Sequence, residues 1–421
     1  MRTVSLSVIP KHHLRIAIII AICMGANLAT LARADEPLIA SISKQTLWEN
    51  RDGKGATWFH PRVCMMPGPD GKPIALMTIQ EIGGSDYFGP VCWSTSTDLG
   101  KTWSDPEPIP ALGRDPIPGR SDDLKAAVCD VVPQYHPQSN SVLALGHVVF
   151  YKGKYFARKE QLSRYPVYAT RAADGTWSQR KIFEWEDPRN TSIYSNGCGQ
   201  RVVLPNGDVQ MSFTFGPGEM NRMVAGVHAA YDGDQLTMRE IGPPLENRHG
   251  RGLLEPSVTE FDGKFWMTIR AEDDHGYVSS SEDGLNWSPK KAWAWEDGTP
   301  IGMSTTQQHW LTHSDGLFLV YTREDESNAN VMRWRAPLWV AQVDVERQCL
   351  IRETEQVALP LVGDGVNDPK KVALMGNFHV THASPDESWI TVGEWMPWNG
   401  YRGDVLLARI RWSRPNRLPL W

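Results

Sequence analysis

The sequence is poor in the features that organise helical, zinc-binding and nucleic-acid-binding proteins. No long segment places apolar residues at the 3.6-residue period of an amphipathic helix. No CxxC pair indicates a zinc ribbon or a redox motif. Lys and Arg form no run, and they number 43 against 49 Asp and Glu. An acidic chain without a basic patch is a poor ligand for a phosphate backbone, so nucleic acid is excluded as a partner.

Short catalytic motifs are missing as well. The chain contains no HExxH, no P-loop, no GxSxG and no Rossmann fingerprint. Metalloprotease, nucleotide-binding and serine-hydrolase functions therefore lack support. We expect neither a metal ion nor a cofactor.

Long apolar runs are also scarce, and the main one is at the N-terminus. Basic residues precede the run IAIIIAICMG, and the small-residue sequence Ala32-Arg33-Ala34 follows it. The run is short for a bilayer span, so residues 1–34 are predicted to be a cleaved secretory signal peptide. Residues 35–421 are then one secreted or periplasmic domain with no membrane span.

Cysteine is rare in this domain. Outside the leader the chain has Cys64, Cys92, Cys129, Cys198 and Cys349, an odd number at wide spacings. This pattern excludes a disulfide framework. One disulfide bond remains open as an alternative, and buried free thiols are the favoured prediction. Of the 43 basic residues the leader holds four, which leaves 39 against 49 acidic ones and a net charge of −10.

Turn residues and tryptophan are abundant: the chain has 36 Gly, 30 Pro and 18 Trp, which favours an all-β protein. Residues 96–103 read S-T-D-L-G-K-T-W, the Asp-box turn. In this turn Ser and Asp side chains bond backbone amides, Gly takes a positive φ and Trp packs beneath the hairpin. Residues 280–287, S-S-E-D-G-L-N-W, repeat it with Glu282 in the Asp place. Weaker versions end at Trp177, Leu236 and Cys349.

Strand-like runs and turns alternate in a fixed order along six units of roughly 50–75 residues, which is typical of radial repetition. The sequence therefore predicts a six-bladed β-propeller in a single domain. The early strand at residues 40–50 would complete the sheet of the last unit and close the ring. A pair of β-sandwiches is the alternative, and the fixed order of hairpin, strand and turn argues against it.

One stretch carries a family resemblance. Residues 255–270 read E-P-S-V-T-E-F-D-G-K-F-W-M-T-I-R, and a box-like turn follows them. Together with the first Asp box and the leader, this stretch resembles the sialidase (neuraminidase) superfamily of six-bladed propellers over essentially the whole mature chain. Sialidases bind the substrate carboxylate with three arginines. By position these are Arg62, Arg270 and Arg335, with Arg323 and Arg333 as rivals for the third. A planar guanidinium donates paired N–H bonds to a carboxylate.

The resemblance also implies catalytic residues. Glu255 matches the glutamate that tunes the nucleophile, and Asp86 is the nearest match to the acid/base aspartate. Glu394 matches a glutamate that orients the first arginine. His60, next to Pro61-Arg62, is either a ligand of the substrate or a packing residue.

The sequence departs from sialidases at the nucleophile. The family uses a tyrosine just upstream of its last glutamate, an exception among glycosidases. Here residues 376–382 read G-N-F-H-V-T-H and contain no tyrosine. Tyr321 and Tyr401 would have to approach from other positions. His379 is the substitute considered, either as a base or as a sugar ligand.

Three functions are consistent with these residues. The leading one is an exo-acting secreted glycoside hydrolase on glycans with a terminal acidic sugar, with Glu255 and Asp86 as the acid/base carboxylates. The missing tyrosine motivates the second, a non-catalytic glycan-binding propeller. The third is a polysaccharide lyase on uronate sugars, in which an arginine neutralises the carboxylate and a His or Tyr abstracts a proton. An acidic glycan is the expected partner in the leading case.

Overall fold

The structure is a computed structural model that describes Met1 and residues 36–157, 164–189, 192–195, 198–218, 220–303 and 305–421. The segment predicted to be a signal peptide lies outside the described residues, apart from Met1. One compact unit spans Ile39–Trp421. Within the described part of the chain, no helix has the length and apolar character needed to span a bilayer.

The described residues of this unit form six antiparallel sheets, which follow one another along the sequence as the blades of a propeller. Blade 1 consists of Trp58–Pro67, Pro73–Gly84, Tyr87–Ser96 and Glu107–Pro108. Blade 2 consists of Arg114–Pro116, Leu124–His136, Ser141–Lys152, Tyr155–Phe156, Pro166–Arg171 and Lys181–Ile182. Blade 3 consists of Ser192–Ser195, Val202–Val203, Val209–Gly216, Met223–Tyr231, Leu236–Ile241 and Leu245–Glu246. The predicted six-bladed β-propeller is confirmed.

The remaining strands complete blades 4 to 6. Blade 4 consists of Leu254–Phe261, Lys264–Arg270, Gly276–Ser281 and Lys291–Ala292. Blade 5 consists of His309–His313, Gly316–Tyr321, Leu338–Asp344, Cys349–Leu350 and Gln356–Leu359. Blade 6 consists of Phe378–Ser384, Glu387–Gly393 and Val405–Trp412, joined by Ile39–Trp48. Short 3₁₀ helices lie in the connections, at Pro110–Leu112, Glu326–Asn328, Met332–Trp334, Arg352–Thr354 and Pro369–Lys371.

The ring closes through the first strand. Ile39–Trp48 pairs antiparallel with Val405–Trp412, with Ile42 opposite Ile410 and Thr46 opposite Leu406. The first and last strands of the propeller therefore share one sheet, as predicted. This closure joins the two ends of the domain by backbone hydrogen bonds.

Hydrogen bonds from threonine side chains connect neighbouring blades near the propeller axis. Thr78 of blade 1 donates to the carbonyl of Val131 in blade 2 at 2.8 Å. Thr391 of blade 6 donates to the carbonyl of Pro61 in blade 1 at 2.6 Å. These threonines are buried, so each hydrogen bond satisfies a group that would otherwise cost free energy on burial. Each bond joins the second strand of one blade to the inner strand of the next.

The inner strands surround a central cavity of about 720 Å³. Val63, Val132 and Val258 line it, together with the C-terminal residues 418–421. Arg62 and Glu255 come before these lining residues on their strands. The propeller axis therefore has a polar end, where the inner strands begin, and a cavity end, where they finish.

The turn at residues 96–103 has the hydrogen bonds that its sequence predicts. The Asp98 carboxylate accepts from the backbone amides of Lys101 and Thr102, at 3.0 and 2.9 Å. Gly100 has φ 73° and donates its amide to the Ser96 hydroxyl at 2.8 Å.

The second turn corrects one assignment. Asp283, not Glu282, accepts from the amides of Leu285 and Asn286, at 2.8 and 2.7 Å. Glu282 instead pairs with Lys264 at the surface, 2.9 Å away. Aligning the two turns on Trp103 and Trp287 gave Glu282 the place of Asp98, which is wrong because the second turn is one residue shorter. Asp283 lies two and three residues before the amides it caps, whereas Asp98 lies three and four residues before its own.

We expect the substitution Ser96→Ala to lower the free energy of unfolding by about 1–3 kcal/mol. The hydroxyl is buried, and its loss leaves the Gly100 amide without its acceptor. Thr97→Ala is the matched control, since Thr97 is exposed and next in sequence, and it should change stability by less than about 0.5 kcal/mol. Urea unfolding of both variants measures the difference. Equal midpoints for the two variants would contradict the role of this turn.

Candidate functional site

The inner strands of blades 1, 2 and 4 share an irregularity. Pairing with the second strand of the blade shifts register within Phe59–Arg62, Cys129–Val132 and Leu254–Ser257. Each shift contains one non-glycine residue with left-handed backbone: His60 (φ 55°), Asp130 (φ 57°) and Glu255 (φ 45°). Such bulges re-aim side chains, and this backbone conformation persists only where the surrounding fold enforces it. Three blades thus direct a polar residue by the same device.

Arg62 is held by Asp130 of the next blade. The guanidinium is fully buried, and its Nη2 donates to Asp130 Oδ1 at 2.6 Å. The Nε2 of His60 lies 3.6 Å from the same oxygen. Burial would raise the pKa of Asp130, but Arg62 and His60 more than offset it, and the pKa lies below its usual range. Burial also lowers the pKa of His60 to about 4, so this imidazole is neutral at pH 7.

Glu255 and Arg270 form the second ion pair of the site. Arg270 Nη1 donates to Glu255 Oε1 at 2.6 Å, and Arg270 Nε donates to the Thr305 hydroxyl at 3.1 Å. The Arg270 side chain is only 6 % exposed, while that of Glu255 is 32 % exposed. Burial would raise the pKa of Glu255, but the Arg270 charge lowers it below the ordinary value. Glu255 is therefore a carboxylate at neutral pH.

Arg335 belongs to the same cluster. Burial, followed by the charges of Arg333 and Arg270, lowers its pKa to about 9. Glu255 and Asp86 act in the opposite direction and raise the pKa of Arg335. The charges that act on Arg335 therefore come from residues of blades 1, 4 and 5 that are far apart in sequence.

Asp86 is an exposed residue whose charge acts on Arg335. It sits in the turn between the second and third strands of blade 1, with φ 54°. Its backbone carbonyl accepts a hydrogen bond from the Tyr151 hydroxyl at 2.7 Å, which anchors the turn to blade 2. The sequence-predicted residues Asp86, Glu255 and Arg270 therefore share one electrostatic environment with Arg335.

Glu394 does not have the predicted partner. It is fully buried and accepts from the guanidinium of Arg51, whose Nε lies 2.7 Å from Oε2. Asp404 lies 3.4 Å from the same arginine. The expectation that Glu394 orients Arg62 is thus replaced by an Arg51–Glu394 pair, while Asp130 orients Arg62. Arg51 lies in the connection before blade 1, whose path the strand pattern does not predict.

His379 lines the central cavity near its polar end. It is buried, and its ring centroid lies 5.4 Å from that of His309. Burial sets the pKa of His379 well below its ordinary value, and the neighbouring His309 and Arg62 act in the same direction. A neutral, weakly basic imidazole is a poor proton acceptor at neutral pH.

The other candidate residues have structural partners. The Tyr321 hydroxyl donates to Glu355 at 2.5 Å, and Arg323 donates two bonds of 2.8 Å to the same carboxylate. Arg323 is therefore bound to Glu355 within blade 5. Arg333 and Arg335 are the remaining candidates for the predicted third arginine. Tyr401 is exposed and stacks on Trp395, with ring centroids 6.3 Å apart.

Two acidic residues of the site escaped sequence reasoning. Asp130 is a carboxylate inside the apolar strand Leu124–His136, and this interruption is the signal that marks it. Glu272 accepts from Arg251 Nε at 2.7 Å. Burial would raise the pKa of Glu272, but its bonds with Arg251 lower it to about 2. The predicted free thiols are confirmed, since all five cysteines of the described chain are buried and unbridged.

No protein-family model matches the chain, and no curated protein matches it by sequence. Solved structures do match. Trypanosoma rangeli sialidase is 15 % identical, with a TM-score of 0.60 over 88 % of this chain and 60 % of that one. Hadza microbial sialidase Hz136 is 12 % identical, with a TM-score of 0.62 over 87 % of this chain and 68 % of that one.

A third match is a protein of unknown function from Dyadobacter fermentans DSM 18053, 12 % identical, with a TM-score of 0.57 over 90 % of this chain and 100 % of that one. The chain spans 60 % of the length of the Trypanosoma rangeli sialidase chain that it matches. At these identities the likeness concerns the fold. With six blades, closure through the first strand and these structural neighbours, the chain is a sialidase-like β-propeller.

Proposed function

We propose that this protein is a glycoside hydrolase that removes a terminal acidic sugar from glycans. One observation carries the proposal: the buried cations Arg270 and Arg335 lie in one electrostatic environment with the ionised carboxylate of Glu255. Two guanidinium groups at one site attract an anion, and their planar N–H groups suit a carboxylate. An acidic sugar supplies that carboxylate next to the glycosidic bond.

The carboxylates of the site have distinct roles in this proposal. Asp86 is exposed, and in this proposal it donates a proton to the leaving oxygen of the aglycone. Glu255 is held ionised by Arg270, so it acts as the base or stabilises the positive charge that develops on the sugar ring. Asp130 positions Arg62 through its 2.6 Å bond.

Sialic acid is the first substrate to test, because solved structures of Trypanosoma rangeli sialidase include one in complex with sialic acid. Hexuronic acids present the same carboxylate chemistry. A panel of glycans ending in sialic acid, in a hexuronic acid and in a neutral hexose separates a requirement for the carboxylate from a requirement for one sugar.

A second candidate function is glycan binding without turnover. It is favoured by the segment 376–382, which has no tyrosine, and by the buried, neutral His379 at this place. A propeller with the anion site but no nucleophile would hold an acidic sugar and release it unchanged.

The test measures sugar release by the purified protein from the glycan panel, with Glu255→Gln and Asp86→Asn as variants. We expect release from acidic glycans only, and a loss of about 100-fold or more in each variant, in line with the usual contribution of acid/base groups. Full activity in both variants would overturn the assignment of these carboxylates. Binding of the acidic glycans without any release would favour the second function.

A further inference from the structure

A cluster of three metal-ligating side chains adjoins Arg62 through Asp130, and the proposed hydrolysis assigns no role to the other two, Cys129 and His147. Cys129, Asp130 and His147 each offer one ligand atom, and these atoms all lie within 4.8 Å of one another. Cys129 Sγ is 3.5 Å from His147 Nε2 and 3.9 Å from Asp130 Oδ2. Two of the three side chains are almost fully buried, whereas that of Asp130 is 21 % exposed.

The fold of blade 2 explains why these groups converge. Cys129 and His147 are direct cross-strand partners, so their side chains share one face of the sheet. Consecutive residues of a regular strand point to opposite faces, which would separate Asp130 from Cys129. The bulge at Cys129–Val132 and the left-handed backbone of Asp130 remove this restriction.

Gly146 supports the same arrangement. A Cβ at this position would lie 2.6 Å from the carbonyl oxygen of Cys129 and 2.7 Å from a methyl group of Val131. The second strand of the blade thus approaches the bulge more closely than a residue with a Cβ atom at position 146 would permit. This close approach sets the distance between Cys129 and the neighbouring His147.

The two separations from Cys129 Sγ are close to those of a tetrahedral ion. Zinc binds sulfur at about 2.3 Å and nitrogen or oxygen at about 2.0–2.2 Å, so two ligand atoms in a tetrahedral shell are about 3.5 Å apart. The Cys129–His147 separation has this value, and the Cys129–Asp130 separation exceeds it by a few tenths of an ångström. A thiolate, an imidazole and a carboxylate together favour zinc over the oxygen-preferring magnesium and calcium.

The two carboxylate oxygens of Asp130 have different partners. Its Oδ1 accepts from Arg62 at 2.6 Å, and its Oδ2 is the oxygen on the Cys129 side. The Nε2 atom of His147 is the ring nitrogen on the Cys129 side, 3.5 Å from Sγ. The partial exposure of Asp130 leaves a path from solvent to the cluster.

We propose that Cys129, Asp130 and His147 form a zinc site with three protein ligands and a fourth position open to water or a ligand. The ion would replace the thiol proton of Cys129, which is released to solvent on binding. Through Asp130 the site adjoins Arg62, so the metal would also fix the carboxylate that orients this arginine. Zinc binding is independent of the proposed hydrolysis, because it is measured without any glycan.

The experiment measures zinc bound to the purified full chain after loading and dialysis, by elemental analysis and by competition with a chromophoric chelator. We expect one zinc ion per chain, and a loss in affinity in both Cys129→Ser and His147→Gln of at least about 10- to 100-fold, the usual effect of removing even an outer-shell partner of a ligand. The control Cys349→Ser removes a thiol that is also buried, in blade 5, and should leave zinc binding unchanged.

Cobalt provides a readout that needs no variant. Cobalt bound by Cys129 should give a thiolate-to-metal charge-transfer band in the near ultraviolet, and zinc should abolish this band. A wild-type chain that binds no zinc, or shows no such band with cobalt, would overturn the proposal. So would folded Cys129→Ser and His147→Gln variants that bind zinc as tightly as Cys349→Ser does. Circular dichroism establishes which variants are folded.

Discussion

Replacing Arg270 with alanine is expected to lower kcat/KM for an acidic glycan by about 100-fold or more. Arg270 directs Nη1 to Glu255 and Nε to Thr305, so Nη2 is the nitrogen that these bonds leave for a ligand. A charge-assisted hydrogen bond contributes about 1.5–3 kcal/mol, which is about 10- to 150-fold in binding. The variant also leaves Glu255 without its counter-charge, which alters the proton affinity on which its role depends.

Two further variants sharpen this result. Arg270→Lys keeps the positive charge but loses the planar fork, so it should retain more activity than alanine while remaining below wild type. Arg411→Ala is the control, because this arginine is 63 % exposed and lies 3.9 Å from Glu387 at the surface. Initial rates on acidic and neutral glycans measure the effect. If Arg270→Ala lost no more activity than Arg411→Ala, Arg270 would have no part in substrate binding.

Replacing Arg62 with methionine is expected to lower the free energy of unfolding by about 3–5 kcal/mol. The guanidinium is fully buried, and its removal leaves the Asp130 carboxylate without its main counter-charge. Methionine keeps part of the volume, so the loss reports chiefly on the charge. In the double variant Arg62→Met/Asp130→Asn no charge is stranded, and the loss should fall to about 1–2 kcal/mol. A double variant no more stable than Arg62→Met would contradict this account.

The same ion pair makes stability depend on pH. The pKa of folded Asp130 is lower than its ordinary value of about 3.9. The stabilisation is therefore fully present above about pH 4 and is lost as the pH falls further and Asp130 takes up a proton. Thermal unfolding between pH 7 and pH 3 should show a steeper fall in midpoint for wild type than for Arg62→Met/Asp130→Asn. Parallel curves would indicate that other carboxylates dominate the acid limb.

Several parts of the site were accessible from sequence because they depend on local spacing. Glu255 and Arg270 lie on the two strands of one hairpin, so the interval between them places both at the same end of the blade. The turn chemistry of Asp98 likewise depends on amides three and four residues away. Hairpins and turns are short-range structures, and their residues meet whenever the local pattern is correct.

Contacts between blades were not accessible in the same way. Asp130 reaches Arg62 across 68 residues, and Glu394 reaches Arg51 across 343. The sequence named Glu394 but paired it with the wrong arginine, since both arginines lie near the start of blade 1. Which one meets it depends on how the ring closes, and no local period encodes that distance.

The sequence by itself determined the class of fold, the six-unit repeat, the closure by the first strand and the hairpin that carries Glu255 and Arg270. These follow from hydrophobic period and turn residues, which act over a few residues. Only the tertiary structure decided that Asp130 holds Arg62, that Glu394 belongs to Arg51, and that Cys129, Asp130 and His147 meet. Ring closure brings Glu394 to Arg51. The bulge with left-handed Asp130 re-aims this side chain near the start of its inner strand, towards Arg62, Cys129 and His147. A single left-handed residue changes which face of the strand the side chains point to, and the hydrophobicity of its neighbours does not predict it.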